Sequence, residues 1–369
     1  MKRLLCIVGG MNVGGAETFL MKIYRTIDRT MYQMDFAVSI DGEGAYDDEI
    51  KKLGGKIYHI TPKSKGWLKN FCDIKNLVKG EKYNYVLRVS QNSLSALELL
   101  AAKFGGAKNR AFRSSNSNVG SASKKQRLIH RLCWFMPRLF ANIKIAPSTE
   151  AAEFMFGNDC VKKGHAKILH NGIDLSYYRY HERSRVTIRQ EFGIPDTALL
   201  VGHIGRFNQQ KNHVFLLKVF KNIYDNNNSA VLLLVGTGEL EKDIKNQAEM
   251  MGLGEKVIFL GVRSDIPSLL SAMDVFVMPS FYEGMPNTVI EAQATGLPCV
   301  ISDTITREAN ITGLVKYMSL EDDSLLWSNE ILKLSENQRQ NVDKKFIESK
   351  YDIKSVTDEF VDMIFNKNE

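Results

Sequence analysis

The sequence predicts an α/β protein built as two successive parallel-sheet domains, and three observations predict it. Short apolar, β-rich runs alternate with longer amphipathic ones almost from end to end. The alternation is interrupted once, by a polar stretch, and then begins again. The 369 residues, 44% of them hydrophobic, are enough for two packed cores of ordinary size.

In the first half the expected strands are "LLCIVGG", "QMDFAVS", "KIYHI", "NYVLRVS", "NRAFRSS", "IKIAPS" and "KILHNG", with helix-like runs such as "AETFLMKIYRTI" and "GWLKNFCDIKNLVKG" between them. A βαβ rhythm of this kind implies a parallel sheet with helices on both faces. "IDLSYYRYHERSRVTIRQEFGIPDTA" is polar and poor in core residues, which puts the hinge at 182 and the domains at 1–182 and 183–350. The second half then offers "ALLVGHIG", "AVLLLVG", "KVIFLG", "DVFVMPS" and "PCVISD". Residues 351–369 form an amphipathic helix with Ile353, Val356, Phe360, Val361 and Ile364 on one stripe, free to pack back on the N-terminal domain.

Composition excludes several classes. The five cysteines are scattered without a Cys-x-x-Cys pair or a neighbouring His at metal-ligand spacing, and read as reduced core thiols of a cytosolic protein. The opening "MKRLLCIVGG" is too short in its apolar run for a signal peptide, and no run reaches the length of a membrane span. The net charge of +7 is concentrated locally: residues 103–144 carry Lys103, Lys108, Arg110, Arg113, Lys124, Lys125, Arg127, Arg131, Arg138 and Lys144 against no Asp or Glu. Such a field favours an anionic partner. Without aromatic platforms or a recognisable module, nucleic acid is not that partner. The basic, aromatic segment 123–141 could instead meet an anionic membrane surface.

Ligands of open parallel sheets bind beyond the carboxyl ends of the strands, so the loops there carry the functional reading. After "DVFVMPS" comes Glu283-Gly284-Met285-Pro286-Asn287-Thr288, opening a helix that ends at Gly296 and Pro298. Its first amides make an anion site, flanked by Glu283 before the helix and Glu291 one turn inside it. An anionic middle with hydroxyls at both ends fits, and a nucleotide-sugar has that shape. Taken alone, the ordinary reading of the two acids is a helix cap and a solvated face residue. "VGHIGRFNQQKN" adds Arg206 and Lys211, suited to gripping a diphosphate. "VGTGELEKDI" adds Gly236 at a strand end. "VGGMNVGGAETFLM" places Gly15 in a phosphate-approaching loop that lacks the dinucleotide-binding spacing.

With these residues in hand the chain resembles the retaining glycosyltransferases of family 4, of GT-B fold, in particular the enzymes of bacterial capsule and exopolysaccharide synthesis. The matching stretches are "GGAET", "HNGID", "GRFNQQKN", "VGTGELEKDI", "FLGVRSDI" and "MPSFYEGMPNTVIEAQATGLPCVISD". The resemblance implies two Rossmann-like domains facing across a cleft, the first binding acceptor and the second binding donor. It implies a UDP-linked nucleotide-sugar donor, a lipid-linked saccharide acceptor, no cofactor and no metal. By position, Glu283 would meet the donor sugar, Glu291 the ribose, Arg206 and Lys211 the diphosphate, Gly15 the diphosphate from the other domain, and Val262 and Arg263 the base. Relatives usually carry an "HSHN"-like run where this chain reads Arg113-Ser114-Ser115-Asn116. Arg113, Ser115 or Asn116 would then serve the acceptor and sugar side, and no catalytic base is assigned. The other readings are an epimerase of the same architecture and a two-domain ligand-binding protein without chemistry.

Overall fold

The computed structural model describes residues 1–40, 42–115 and 124–366, with the backbone alone for 124–128. The chain divides into two compact units, Met1–Gly172 with Lys350–Glu369, and Ile173–Ser349.

The first unit holds a seven-stranded sheet: β1 (Lys2–Val8), β2 (Tyr32–Val38), β3 (Ile57–His59), β4 (Tyr85–Ser90), β5 (Asn109–Ser114), β6 (Ile143–Ala146) and β7 (Lys167–Ile168), in the order β3-β2-β1-β4-β5-β6-β7. The pairs are parallel, with β1 against β2 from Lys2↔Tyr32 to Val8↔Val38. β1 shows why its sequence is a continuous apolar run. Leu4, Cys6 and Val8 enter one core and Leu5 and Ile7 the other, so both faces are covered. The Gly15–Thr26 helix and the C-terminal Ile353–Val361 helix lie on the first face, where Phe360 meets Phe19 and Phe365 meets Tyr32 and Tyr85.

The second unit repeats the arrangement with six strands: β8 (Leu200–Ile204), β9 (Val231–Val235), β10 (Val257–Phe259), β11 (Val275–Met278), β12 (Cys299–Ser302) and β13 (Val315–Met318), in the order β10-β9-β8-β11-β12-β13. β13 is absent from the sequence expectation. It is an edge strand of which only Val315 is buried, so it lacks the apolar run by which the others are read.

Three other expectations change. The break between units falls at Gly172, before the expected 182, because the polar stretch belongs to the second unit. There Arg185 and Arg189 pair with Asp274, and Arg189, 1% exposed, also donates to the Ala272, Pro195 and Ala198 carbonyls. Two members of the basic run do not belong to a surface field. Arg113 is buried, and Arg110 donates to the carbonyls of Phe140, Ala107 and Lys108. Of the cysteines, Cys72 is exposed.

Candidate functional site

In both sheets the strand order reverses beside the first strand, and in the second unit the reversal lies between β8 and β11. The loop after β8 is fastened to the loop after β9. Gly205 N–H donates to Val235 O (2.9 Å), Phe207 N–H to Thr237 O (3.1 Å) and Leu240 N–H to Phe207 O (3.0 Å). This backbone-on-backbone packing explains the glycines. A Cβ at Gly236, whose φ is +133°, would lie 2.2 Å from Gly205 O, and one at Gly238 would lie 2.3 Å from Phe207 O. The space beside Gly236 is thus taken by the chain itself.

The β8 loop is also clasped to the β11 loop. Phe281 N–H donates to Gln210 O, and Gln210 Nε2 to Tyr282 O, each at 2.9 Å. Asn208 caps the Gln209–Lys211 turn by accepting from Lys211 N–H, and Asn212 at φ +54° takes the chain out of it. The outcome is that Lys211 Nζ lies 2.8 Å from Glu283 Oε1, with only 15% and 10% of the two side chains exposed. Arg206 stands on the same loop, mostly exposed, 3.1 Å from Glu239.

After Glu283 the chain runs through Gly284 and Met285 to Pro286 at the cap of the Asn287–Ala294 helix. Proline offers no side-chain acceptor there, so the helix opens without a side-chain cap, and Thr288 lies in its first turn. At the other end Leu297 N–H bonds Ala292 O and Gly296 N–H bonds Gln293 O around Gly296 at φ +69°. Glu291, within the helix, interacts with the buried Tyr178 phenol, which donates to it. Burial and, next, the Glu291 charge push that phenol's pKa up, so it stays protonated.

Under the Lys211 turn are two buried imidazoles. His203, inside β8, bonds Val277 O of β11 through Nδ1 at 2.8 Å, and its Nε2 has no partner. His213 stacks on Phe207 with both ring nitrogens unpaired. Burial first, then neighbouring charge, drives His203 well below the usual imidazole range and His213 to about 4. Both are neutral at pH 7.

A family model, glycosyl transferases group 1, matches residues 184–352. The putative glycosyltransferase EpsF of Bacillus subtilis (strain 168) is 34% identical over 337 residues, covering 90% of this chain and 87% of that protein. The chain belongs to the group 1 glycosyltransferases. An Escherichia coli relative, UDP-Gal:alpha-D-GlcNAc-diphosphoundecaprenol alpha-1,3-galactosyltransferase, is 26% identical with 81% of each chain covered. Among solved structures, Anabaena Alr3699/HepE in complex with UDP and glucose superposes with a TM-score of 0.76 at 19% identity, over 98% of this chain and 99% of that one. That likeness shows the GT-B fold.

The remaining sequence-predicted residues of this glycosyltransferase are placed as follows. Arg263 forms a two-point pair with Asp265 (2.8 and 2.7 Å) and a further bond to Glu191, and Val262 beside it is exposed. In the first unit Gly15 opens its helix, and a Cβ there would meet nothing within 4 Å. Arg113, at the end of β5, lies 3.7 Å over the Phe19 ring and donates to Asn171 Oδ1 at 2.6 Å. Burial lowers its pKa to about 9, and its Nε is unpaired. Ser115 donates its N–H to Ser90 O. Asn116, residue 123 and the side chains of Lys124, Lys125 and Arg127 lie outside what the structure describes. Among the described residues no helix is long and apolar enough to cross a membrane, and no group of three or more His, Cys, Asp or Glu could hold a metal.

The sequence reading missed Tyr178 and the two histidines. A histidine inside the apolar run "ALLVGHIG" was a visible signal for His203. Nothing in spacing joins Tyr178 to Glu291.

Proposed function

We propose that this glycosyltransferase moves a hexose or N-acetylhexosamine, with retention, from a UDP-linked donor to a lipid-linked glycan in surface polysaccharide synthesis, at the inner face of the cell membrane. The observation that carries the reading is the Lys211–Glu283 pair at the β8/β11 reversal, beside a helix opening without a side-chain cap. The names of the relatives support it: UDP-galactose and a diphosphoundecaprenol-linked acceptor for the E. coli enzyme, UDP and glucose for HepE.

In this reading the free protein keeps its diphosphate cation occupied by its own carboxylate. The donor's diphosphate takes Lys211 away from Glu283, and the released carboxylate accepts hydrogen bonds from hydroxyls of the donor sugar. Arg206, held only by an exposed contact to Glu239, turns onto the same phosphates. As the glycosyl–phosphate bond breaks, negative charge grows on the leaving diphosphate, where Lys211, Arg206 and the first amides of the Asn287–Ala294 helix stabilise it. Glu291, steadied by Tyr178, accepts from the ribose. Two side-chain cations face the two charges of the diphosphate, so the step is assigned no metal. In the same reading Gly284, Met285, Pro286, Asn287 and Thr288 serve the diphosphate and Val262 and Arg263 the nucleoside, while Gly236 serves by letting the β8 and β9 loops pack together.

The test is incubation with a panel of nucleotide-sugars and a polyprenyl-diphosphate sugar, following nucleotide release and the anomeric configuration of the product by NMR, with and without EDTA. Transfer with retention from one UDP-sugar, insensitive to EDTA and lost in Glu283→Gln with nucleotide binding intact, is expected. An epimerised sugar nucleotide without transfer, or an inverted product, would sink the reading.

A further inference from the structure

The first unit has an open pocket of about 460 Å³ lined by Arg138, Lys144, Asn158, Cys160, Lys163 and His165, none of them used by the transfer reaction proposed above. Arg138 is its centre. The guanidinium lies 3.8 Å over the Trp134 ring. At the tip of Nη2 is Gly157 at φ +92°, where a Cβ would come within 1.5 Å of that nitrogen, so only glycine leaves it room. Arg138 Nε is buried and unpaired, and no carboxylate among the described residues pairs with this cation. Lys163 does have one, Asp159 at 3.7 Å, but both groups are exposed and Asp159 is shared with Lys162. A guanidinium fixed in a plane, partly stripped of water and left without an anion is a built acceptor for a phosphate or carboxylate.

The surroundings say which. Leu132, Trp134, Phe135 and Leu139, around and within the short Met136–Phe140 helix, are all exposed, at 65%, 43%, 42% and 67%. A soluble anion leaves this apolar rim unexplained. A bilayer accounts for both parts, because aromatic side chains sit at headgroup depth while cations at the same level meet lipid phosphate.

We infer that this pocket seats the phosphate of an anionic phospholipid, with Arg138 gripping it and Trp134, Phe135 and Leu139 entering the headgroup layer. The inference rests on the membrane-surface part of the proposed function and is independent of the transfer chemistry.

The full-length protein is sedimented with phosphatidylcholine vesicles containing or lacking phosphatidylglycerol. Wild type should bind only the anionic vesicles. Arg138→Gln combined with Lys163→Gln should lower the partition coefficient by about 25-fold, at about five-fold per charge. Lys51→Gln with Lys52→Gln, which removes equal charge from the Asp47–Lys52 helix, should change it less than about two-fold. Arg138→Lys keeps the charge without the stacked plane and should fall between, which guards against a folding defect in the double variant. A double variant that binds anionic vesicles like wild type would overturn the pocket while leaving surface contact standing. Wild type indifferent to phosphatidylglycerol would overturn both. Inorganic phosphate that raises the melting temperature of wild type but not of the double variant, with no vesicle binding, would reassign the pocket to a soluble anion.

Discussion

In the first unit the strands on either side of the reversal, β1 and β4, keep their charges locked inside. Arg88 of β4 donates to Ile7 O of β1 at 2.8 Å and pairs with Glu98, which also takes Lys63 at 3.0 Å, and the three side chains are 10%, 3% and 21% exposed. Burial, and then the nearby Arg88, press the Lys63 ammonium down to about 8 although Glu98 pulls it up. In the second unit the corresponding charges sit on loops beyond the strand ends, where Lys211 and Glu283 hold each other across 72 residues of sequence. The two sheets share an order in their first six strands, so topology provides a crevice in each. In the proposed reaction this difference in placement separates a crevice whose charges only hold the fold from one whose pair opens to the donor.

The largest expected effect tests the first half of that contrast. Glu98→Ala leaves Arg88 and Lys63 inside the first unit without an acid, which should cost about 3–5 kcal/mol in urea denaturation of the full chain, while transfer per folded molecule stays unchanged. A loss under about 1 kcal/mol would show that the first unit's cluster is no more locked than the second's.

Next in size is Lys211→Ala. Removing one cation from a developing diphosphate charge should lower turnover about 10²–10³-fold, while the Glu283 carboxylate left alone at a loop should lower the urea midpoint by less than Glu98→Ala does. The reverse pattern, a destabilised protein with normal turnover, would erase the distinction between the two crevices.

The third concerns pH. His213 has its pKa lowered to about 4 in the folded chain, against 6.5 for an unperturbed imidazole. The unfolded chain therefore binds a proton first, so the stability from this group is complete above about pH 6.5 and is lost as pH falls towards 4. The loss is of the order of 3 kcal/mol. Urea midpoints between pH 7 and 4 should fall less steeply in His213→Phe than in wild type. Parallel slopes would mean that the imidazole beneath the Lys211 turn is reached by water and belongs to no buried layer.

Most of the fold was legible because a parallel strand covered on both faces must be apolar at successive positions, as Leu4 to Val8 are, and such runs stand out. Apart from the exposed Cys72, the failures share one cause, a residue whose partner lies far away in sequence. Arg113 reads as one of a basic run and Arg189 as part of a polar hinge, until the amide of Asn171 and the carbonyls around Ala272 come beside them. Val315–Met318 is a strand only because β12 lies next to it. At the candidate site Lys211, Glu283 and Glu291 could each be named from the sequence, but that Lys211 and Glu283 touch depends on β8 and β11 being neighbours.

Tyr178 is the smallest and sharpest case. Its phenol donates to Glu291 and contributes nothing to the charge that grows on the diphosphate, so in the proposed reaction it serves ground state and transition state alike. Tyr178→Phe removes one hydrogen bond to a charged acceptor, about 1–2 kcal/mol, and keeps the buried ring. The donor KM should rise roughly five- to thirty-fold with kcat nearly constant, the signature of lost uniform binding, whereas Lys211→Ala should act on kcat. If Tyr178→Phe lowered kcat as far as Lys211→Ala does, Glu291 would have to act on the reacting end of the donor, and the assignment of Glu283 to the sugar and Glu291 to the ribose would be reversed.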